Sequence, residues 1–267
     1  MSKPQKSFES YLLTTDNKTV SFNDYLKCPA TAFLSYLIDA KDAINYCKNN
    51  FQKNQNGKLN KDAQDSYRHI SCALLPAIMG HFETFQKALF AGMFERSRWV
   101  ESFNTEAFFK ALEDRCGKLT IDLIRVSAYR GLNASIGQLL ADALYGWHSP
   151  EKVNLFFKAF DLKIDFYSKD DIEQLSILWQ LRHSIVHTGG YITRPDSQKI
   201  RALVKYGDIP IVFKDNAIHE ICRKLHPIIN HSTLRLAKAF KSKLPTNKHA
   251  DVDKFYTIKS KIMTWLR

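Results

Sequence analysis

Apolar residues recur at intervals of three and four along most of the chain, the spacing that places them on one face of an α-helix. The pattern predicts helices over residues 31–50, 60–95, 105–112, 120–145, 150–160, 168–188 and 216–243, and a last short helix after residue 251. Pro76 and Pro227 fall inside two of these segments, where proline removes a backbone donor and clashes with the preceding turn. We therefore expect a kink or a break near Pro76 and a kink near Pro227.

The second predicted helix carries a continuous stripe of large apolar side chains. Its members are Ile78, Phe82, Phe85, Leu89 and Phe90. The helical spacing places these side chains on one face, which we expect to be buried in the core. Glu83 is the one acid in this apolar stretch.

Residues that favour the first turn of a helix mark three of the predicted helix starts. Either Asn104 or Thr105, and likewise Ser149 and Ser168, can cap a helical segment by accepting a hydrogen bond from a free backbone amide of the first turn. Ser149 is followed by proline and glutamate, and Ser168 is followed by two aspartates, which are typical first-turn residues. These signals predict where the helices begin.

Two parts of the chain lack the helical spacing. We expect one or two short strands in the first 25 or so residues. After the Gly189–Gly190 pair, the runs YITR and IPIVFK predict a small β-hairpin or extended loops. The predicted fold is therefore mainly α, with one helical domain over residues 1–243 that includes an N-terminal extension, and a basic C-terminal extension over residues 244–267.

Composition narrows the classes of protein to which this chain can belong. Hydrophobic residues make up 45% and charged residues 25% of the chain, as in ordinary globular proteins. No apolar run approaches the roughly 18 residues of a membrane span, and the polar first ten residues predict no secretory signal. The five cysteines form no CxxC pair, which favours free thiols in a reducing compartment, the cytoplasm, over disulfides or a zinc site.

The chain is strongly basic. It holds 39 lysines and arginines against 27 acids, a formal net charge of +12. A basic surface favours a polyanionic partner, most often a nucleic acid, although the excess charge is also compatible with a merely soluble basic protein. The last 33 residues are the most basic, and Lys259 and Lys261 are candidate contacts to RNA there.

The segment from Asp170 to Gly190 contains the candidate chemistry. On a helix, its apolar residues form a wide arc with Arg182 near the middle, and a buried guanidinium needs a partner or a ligand. His183 and His187 lie on one flank of that arc, about 40° apart around the helix axis. The glycine pair ends the helix abruptly, so we expect His187 at an exposed end.

Three interpretations fit these residues. Arginine and histidine together suit cleavage of RNA without a metal: the histidine transfers a proton and the arginine stabilises charge on the phosphate. Alternatively, Arg182 forms a structural ion pair and the terminal histidine complements the helix dipole. His183 and His187 also have the HxxxH spacing of two metal ligands, but the glutamate of zinc proteases is missing and no third ligand is obvious, so no metal is expected.

The stretch LWQLRHSIVHTGGYI resembles the signature of HEPN domains (higher eukaryotes and prokaryotes nucleotide-binding). In that signature an arginine, a polar residue and, further on, a histidine lie near the end of a helix. Arg182, His183 and His187 match its R-x4-H form. The resemblance is specific over about fifteen residues, and the helical layout of residues 60–243 is compatible with a HEPN bundle.

The resemblance implies a metal-independent endoribonuclease that needs no cofactor and that forms a homodimer with a composite active site. In it Arg182 binds the phosphate, His187 is the general base or acid, His183 holds the substrate or orients the pair, and Glu83 supports Arg182. Tyr191, just after the glycines, is a candidate for lining the cleft. Family analogy further implies toxin–antitoxin or antiviral defence, and with it an antitoxin or regulatory partner. The alternatives are a non-catalytic RNA- or nucleotide-binding protein and a helical partner-binding protein.

Overall fold

The computed structural model describes residues 20–100, 102–121, 123–129, 135–244 and 260–266, together with residues 7 and 10. This part of the chain is mainly helical. Its α-helices are α1 Phe22–Lys27, α2 Pro29–Asn50, α3 Lys61–Ser97, α4 Thr105–Cys116, α5 Leu123–Ala128, α6 Ile136–Ala143, α7 Pro150–Lys158, α8 Lys169–His187, α9 Arg194–Gln198 and α10 Ala217–Lys243. A further short helix covers residues 260–265. None of the helices in the described ranges combines the length and apolar character that a membrane span requires.

Helix α3 is the centre of the fold. It has 37 residues and is therefore about 55 Å long at 1.5 Å per residue. The five residues of the predicted stripe are all at most 1% exposed, which confirms that this face lies in the core. Helices α1, α2, α6, α7, α8 and α10 all contact α3.

The predicted break at Pro76 is wrong, because α3 continues through that residue. Leu75, Ile78 and Met79, on either side of the proline, are fully buried. Their packing stabilises the helix at the place where the proline removes one backbone hydrogen bond. Pro227 likewise lies inside α10, which is continuous over its 27 residues.

Aromatic rings attach the middle of the chain to α3. Phe90 on α3 lies between the Phe108 ring of α4 and a group of rings in and around α7. Its neighbours, with ring centroids 5.3 to 6.4 Å away, are Phe108, Trp147, Phe156, Phe157 and Phe160. Aromatic residues bury large areas, so this cluster fixes α4 and α7 relative to α3.

Two sequence predictions need correction. Residues 22–27 form helix α1, with Ser21 and Asp24 in a capping box, where part of a strand was expected; most of the predicted N-terminal strand region lies outside the described residues. The single helix expected over residues 120–145 is instead the separate helices α5 and α6, and residues 130–134 between them are not described. Helix α6 crosses α3 closely, since a Cβ on Gly137 would lie 2.3 Å from the carbonyl oxygen of Ala91.

The predicted hairpin is present after α8. Strand β1 (Tyr191–Ile192) pairs antiparallel with β2 (Ile209–Pro210). The connection between the strands is long and contains α9 and a 3-10 helix at Arg201–Tyr206. The chain therefore leaves the end of α8, passes through α9 and the 3-10 helix, and returns beside β1.

Residues 260–266, within the basic extension expected at the end of the chain, pack against the core. Ile262, Trp265 and Leu266 are 2% to 3% exposed. The Trp265 ring lies over Gly92 of α3, where an added Cβ would come within 2.0 Å of it, and the Arg96 guanidinium stacks 3.9 Å from the ring centroid. Burial lowers the pKa of Arg96 to about 10.

We expect Trp265→Ala to lower the free energy of unfolding by about 3–5 kcal/mol, because it removes a large buried side chain and leaves a cavity against α3. The measurement is urea denaturation followed by circular dichroism. Lys261→Ala is the matched control, since Lys261 is exposed on the same helix. Equal stability of the two variants would contradict the docking of this helix.

Candidate functional site

The first half of α8 is fixed firmly in the fold. Ser168 caps the helix in a capping box with Asp171, whose carboxylate also accepts a 2.9 Å hydrogen bond from Arg235 on α10. Leu175, Leu178 and Trp179 are buried. The helix therefore begins at the predicted cap and has a defined position against α3 and α10.

The second half of α8 turns a different face to the core from the one predicted. Gln180 and Ser184 are buried, and the Gln180 amide donates to the Ser184 hydroxyl over 3.4 Å. Ile185 is only half-buried and Val186 is 47% exposed, although we expected both in the apolar arc. Leu181 and Ile185 still pack partly against the core, so the apolar face is only incompletely covered in this half of α8 and Val186 is left exposed.

Arg182, His183 and His187 lie together on the open side of this helix end. Both histidines are exposed, and their ring centroids are 4.7 Å apart. Arg182 is half-buried, and its Nε is buried without a hydrogen-bond partner. The helix end thus combines two accessible imidazoles with a guanidinium that has unused hydrogen-bonding capacity.

The structure does not place Glu83 in an ion pair with Arg182. The Glu83 carboxylate instead contacts Lys87, one turn further along α3, at 2.9 Å. Among the described residues, no carboxylate forms an ion pair with Arg182. A negative ligand therefore has no competing acid at this guanidinium within the described part of the chain.

The glycine pair ends α8 as the sequence predicts. Gly189 and Gly190 have φ angles of +64° and +83°, in the left-handed region that side chains disfavour. The Gly190 amide donates to the Ser184 carbonyl over 3.0 Å, and so does the Thr188 hydroxyl over 2.8 Å. These bonds satisfy a terminal carbonyl of the helix and leave His187 in its last exposed turn.

Two residues near the site, Asp196 and Lys199, were missed by the sequence analysis. Asp196 on α9 is 7% exposed and accepts a 2.6 Å hydrogen bond from Lys199, which holds the pKa of Asp196 below its usual range. Partial burial lowers the pKa of His183, and His187, Lys199 and Arg182 lower it further, while the charge of Asp196 opposes them. His183 therefore stays neutral over more of the pH range and can accept a proton or a hydrogen bond.

The connection between β1 and β2, the excursion that carries α9, is basic. It contributes Arg194, Lys199, Arg201 and Lys205, all exposed, against Asp196 and Asp208. Arg194 pairs with Asp208 at 3.0 Å, while Arg201 and Lys205 form no ion pair within the described residues. These cations lie close together in the sequence just after the candidate helix, and that spacing is the signal by which they could have been found.

The other predicted binding residues lie at the hairpin and at the chain end. Tyr191 is 41% exposed, and its hydroxyl donates to the Asp208 carbonyl over 2.7 Å, so it fastens the hairpin beside the helix end. Lys261 is exposed on the terminal helix, which packs on α1 and α3 through Trp265. Lys259 lies outside the described residues.

Comparison with known proteins adds no relative. No family model, no curated protein and no solved structure matches this chain. The described residues contain no group of three or more histidines, cysteines, aspartates or glutamates arranged to hold a metal ion. The five cysteines are free, with Cys222 buried and the others half-buried.

We expect Asp196→Asn to lower the pKa of His183 further, because it removes the negative charge that raises that pKa. Carbon-detected NMR titration of the histidine rings measures this shift. Asp161→Asn is the control, since Asp161 pairs with Lys243 on an exposed surface and should leave His183 unchanged. A pKa of His183 that rises or stays constant in Asp196→Asn would contradict the placement of Asp196.

Proposed function

We propose that this protein is a metal-independent endoribonuclease of the HEPN type, with its active site at the end of α8. The observation that supports this most is the combination, on one helix end, of two exposed imidazoles and an Arg182 guanidinium that forms no ion pair with a carboxylate among the described residues. The net charge of +12 and the basic excursion around α9 favour a polyanionic substrate.

The reaction uses the 2′-hydroxyl of RNA as its nucleophile. That hydroxyl loses its proton to a histidine and attacks the adjacent phosphorus, and the bond to the 5′-oxygen of the next nucleotide breaks as that oxygen takes up a proton. The products are a 2′,3′-cyclic phosphate and a 5′-hydroxyl. Arg182 stabilises the charge on the non-bridging oxygens, His187 transfers protons, and neutral His183 holds the substrate or orients His187.

The proposal includes a homodimer with a composite site. Val186 is 47% exposed between Arg182 and the glycines, so α8 carries an exposed apolar side chain next to the proposed catalytic residues, while the neighbouring Ile185 packs partly on the core. A second copy of the chain placed on Val186 would bury it and would bring two sets of Arg182 and His187 together.

The cellular setting belongs to the same proposal. The free thiols favour the cytoplasm, where RNA is accessible and thiols stay reduced. An RNA-cleaving enzyme there would arrest growth unless controlled, so we propose a role as a toxin or an antiviral effector with an inhibitory or regulatory partner. An Arg182 that served only as a structural ion pair is not supported, because that pair is not formed among the described residues.

Incubation with total RNA and tRNA in excess EDTA tests the activity. We expect wild type to cut RNA and leave 2′,3′-cyclic phosphate ends, and His187→Ala to lose at least about 100-fold of the rate, the usual contribution of a proton-transferring residue. His226→Ala is the matched control, since His226 is exposed on α10. Full activity of His187→Ala would overturn the assignment, and RNA binding without any cleavage would favour a non-catalytic RNA-binding protein.

The same assay tests the composite site through Val186→Lys, which adds a charge that cannot form an ion pair with Arg182 one turn away. This exposed residue tolerates the change in a monomer, so the fold should survive, while the charge prevents burial against a second copy. We expect light scattering to show a dimer for wild type and a monomer for the variant, with cleavage lost in parallel. A fully active monomer would show that one chain suffices.

A further inference from the structure

A groove of about 570 Å³ lies beside the candidate active site, between the start of α3 and the chain that follows β2. Its volume falls in the roughly 300–1,000 Å³ range of small-ligand sites. The residues that matter for its chemistry are Arg68, His69, Ile185, Gly189, Gly190 and Val212. None of these was a candidate functional residue in the sequence, apart from the glycines that end α8.

The groove borders the end of α8 at Ile185 and the two glycines, and Arg182 and the histidines lie outside its lining. Ile185 follows Arg182 by three residues and lies about 60° from it around the helix axis. His183 lies about 100° from Arg182 in the opposite sense. A phosphate bound by Arg182 would therefore have the histidines on one side and this groove on the other.

Arg68 supplies a guanidinium for a second phosphate. Its Nε is buried and has no hydrogen-bond partner, and its Nη1 forms a 3.7 Å ion pair with Asp65, which also lines the groove and is 61% exposed. Because this ion pair is long and exposed, a phosphate in the groove can compete with Asp65 for the accessible amino groups of the guanidinium. His69 lies next to it on α3 and is exposed.

Beyond Arg68 the groove continues into a second depression of about 770 Å³, which Arg68 and Val212 border as well. Lys214 lies in this continuation. Of the two acids there, Glu220 is engaged by Arg223 at 2.6 Å, and the other is Asp215. The groove and its continuation thus contain two cations, Arg68 and Lys214, and the three acids Asp65, Asp215 and Glu220.

Apolar surface and open backbone complete the groove. Val212 is 61% exposed and Ile185 is half-buried, so the two side chains offer a surface for the face of a base. At Gly189 and Gly190 a Cβ would project into open space, which means that any other residue would place its side chain in the entrance. The glycines therefore keep the groove accessible from the active site.

We propose that this groove binds the nucleotide next to the scissile phosphate of single-stranded RNA, with Arg68 on its phosphate and Val212 and Ile185 against its base. This assignment rests on the proposed ribonuclease function, because it takes its direction from a phosphate at Arg182. It predicts that the enzyme prefers substrates long enough to fill the groove.

Cleavage of two substrates tests the groove. A dinucleoside monophosphate carries only the scissile phosphate, whereas a hexanucleotide of the same sequence also fills the groove. We expect the ratio of the two kcat/KM values, hexanucleotide over dinucleotide, to fall about tenfold in Arg68→Gln, as for the loss of one charge-assisted contact. Val212→Glu should lower the ratio as well, and the control Arg115→Gln on α4 should not. An unchanged ratio in Arg68→Gln and Val212→Glu would overturn the assignment.

A binding measurement distinguishes a failure of the groove assignment from a failure of the proposed ribonuclease function. The probe is a fluorescent 2′-O-methyl hexanucleotide, which cannot be cleaved, and its anisotropy is measured across NaCl concentrations. We expect the slope of log affinity against log salt to be shallower by about 0.7 in Arg68→Gln. If wild type cleaves no RNA but shows this difference, the groove stands and the ribonuclease proposal fails. If wild type does not bind the probe, or Arg68→Gln binds it equally well, the groove assignment fails.

Discussion

The burial of one face of α3 is the constraint on which the rest of this structure depends. Phe82, Phe85, Leu89 and Phe90 are at most 1% exposed, and burying a side chain of this kind contributes roughly 1.5–3 kcal/mol. Helices α1, α2, α6, α7, α8 and α10 contact α3, and Trp179 of α8 lies against its stripe, with the Phe82 and Trp179 rings 6.3 Å apart. The start of α8 therefore has its position because this face must be covered.

The remainder of α8 is unusual for a surface helix. Past Trp179, the polar Gln180 and Ser184 are buried, while Val186 and the two histidines are exposed. Leu181 and Ile185 still pack partly on the core. Surface helices normally bury apolar residues and expose polar ones. Departures from such local rules tend to mark functional sites, and this is the reason that we propose the active site at this end of α8.

Local features of the fold were predictable from the sequence, since the residues that determine them are close along the chain. The caps at Asn104, Ser149 and Ser168 accept the expected backbone hydrogen bonds, and the glycines end α8. The pairing of β1 with β2 was also expected, because strand-forming residues follow the helix end directly.

Features that depend on contacts between distant segments were not predictable in the same way. Helical periodicity placed Arg182 in an apolar arc. It does not show how far along α8 other parts of the chain pack against that arc. Glu83 found a partner one turn away on its own helix, which a pattern of apolar residues does not reveal. Asp196 reaches His183 only because the chain folds back over α9, and Trp265 reaches Gly92 across most of the sequence. The candidate histidines came from a local motif, whereas their electrostatic environment came from the tertiary fold.

In the proposed reaction, the open end of α8 cleaves RNA through the 2′-hydroxyl of the substrate itself. Once a cleavage position is mapped, the decisive measurement is the rate of cleavage of one RNA that carries a single 2′-deoxy substitution on the 5′ side of that phosphate, in excess EDTA. We expect the substituted RNA to bind as tightly as the parent and not to be cut at that position. Cleavage of the substituted RNA at the parental rate would contradict the proposed reaction, because the nucleophile would then come from elsewhere.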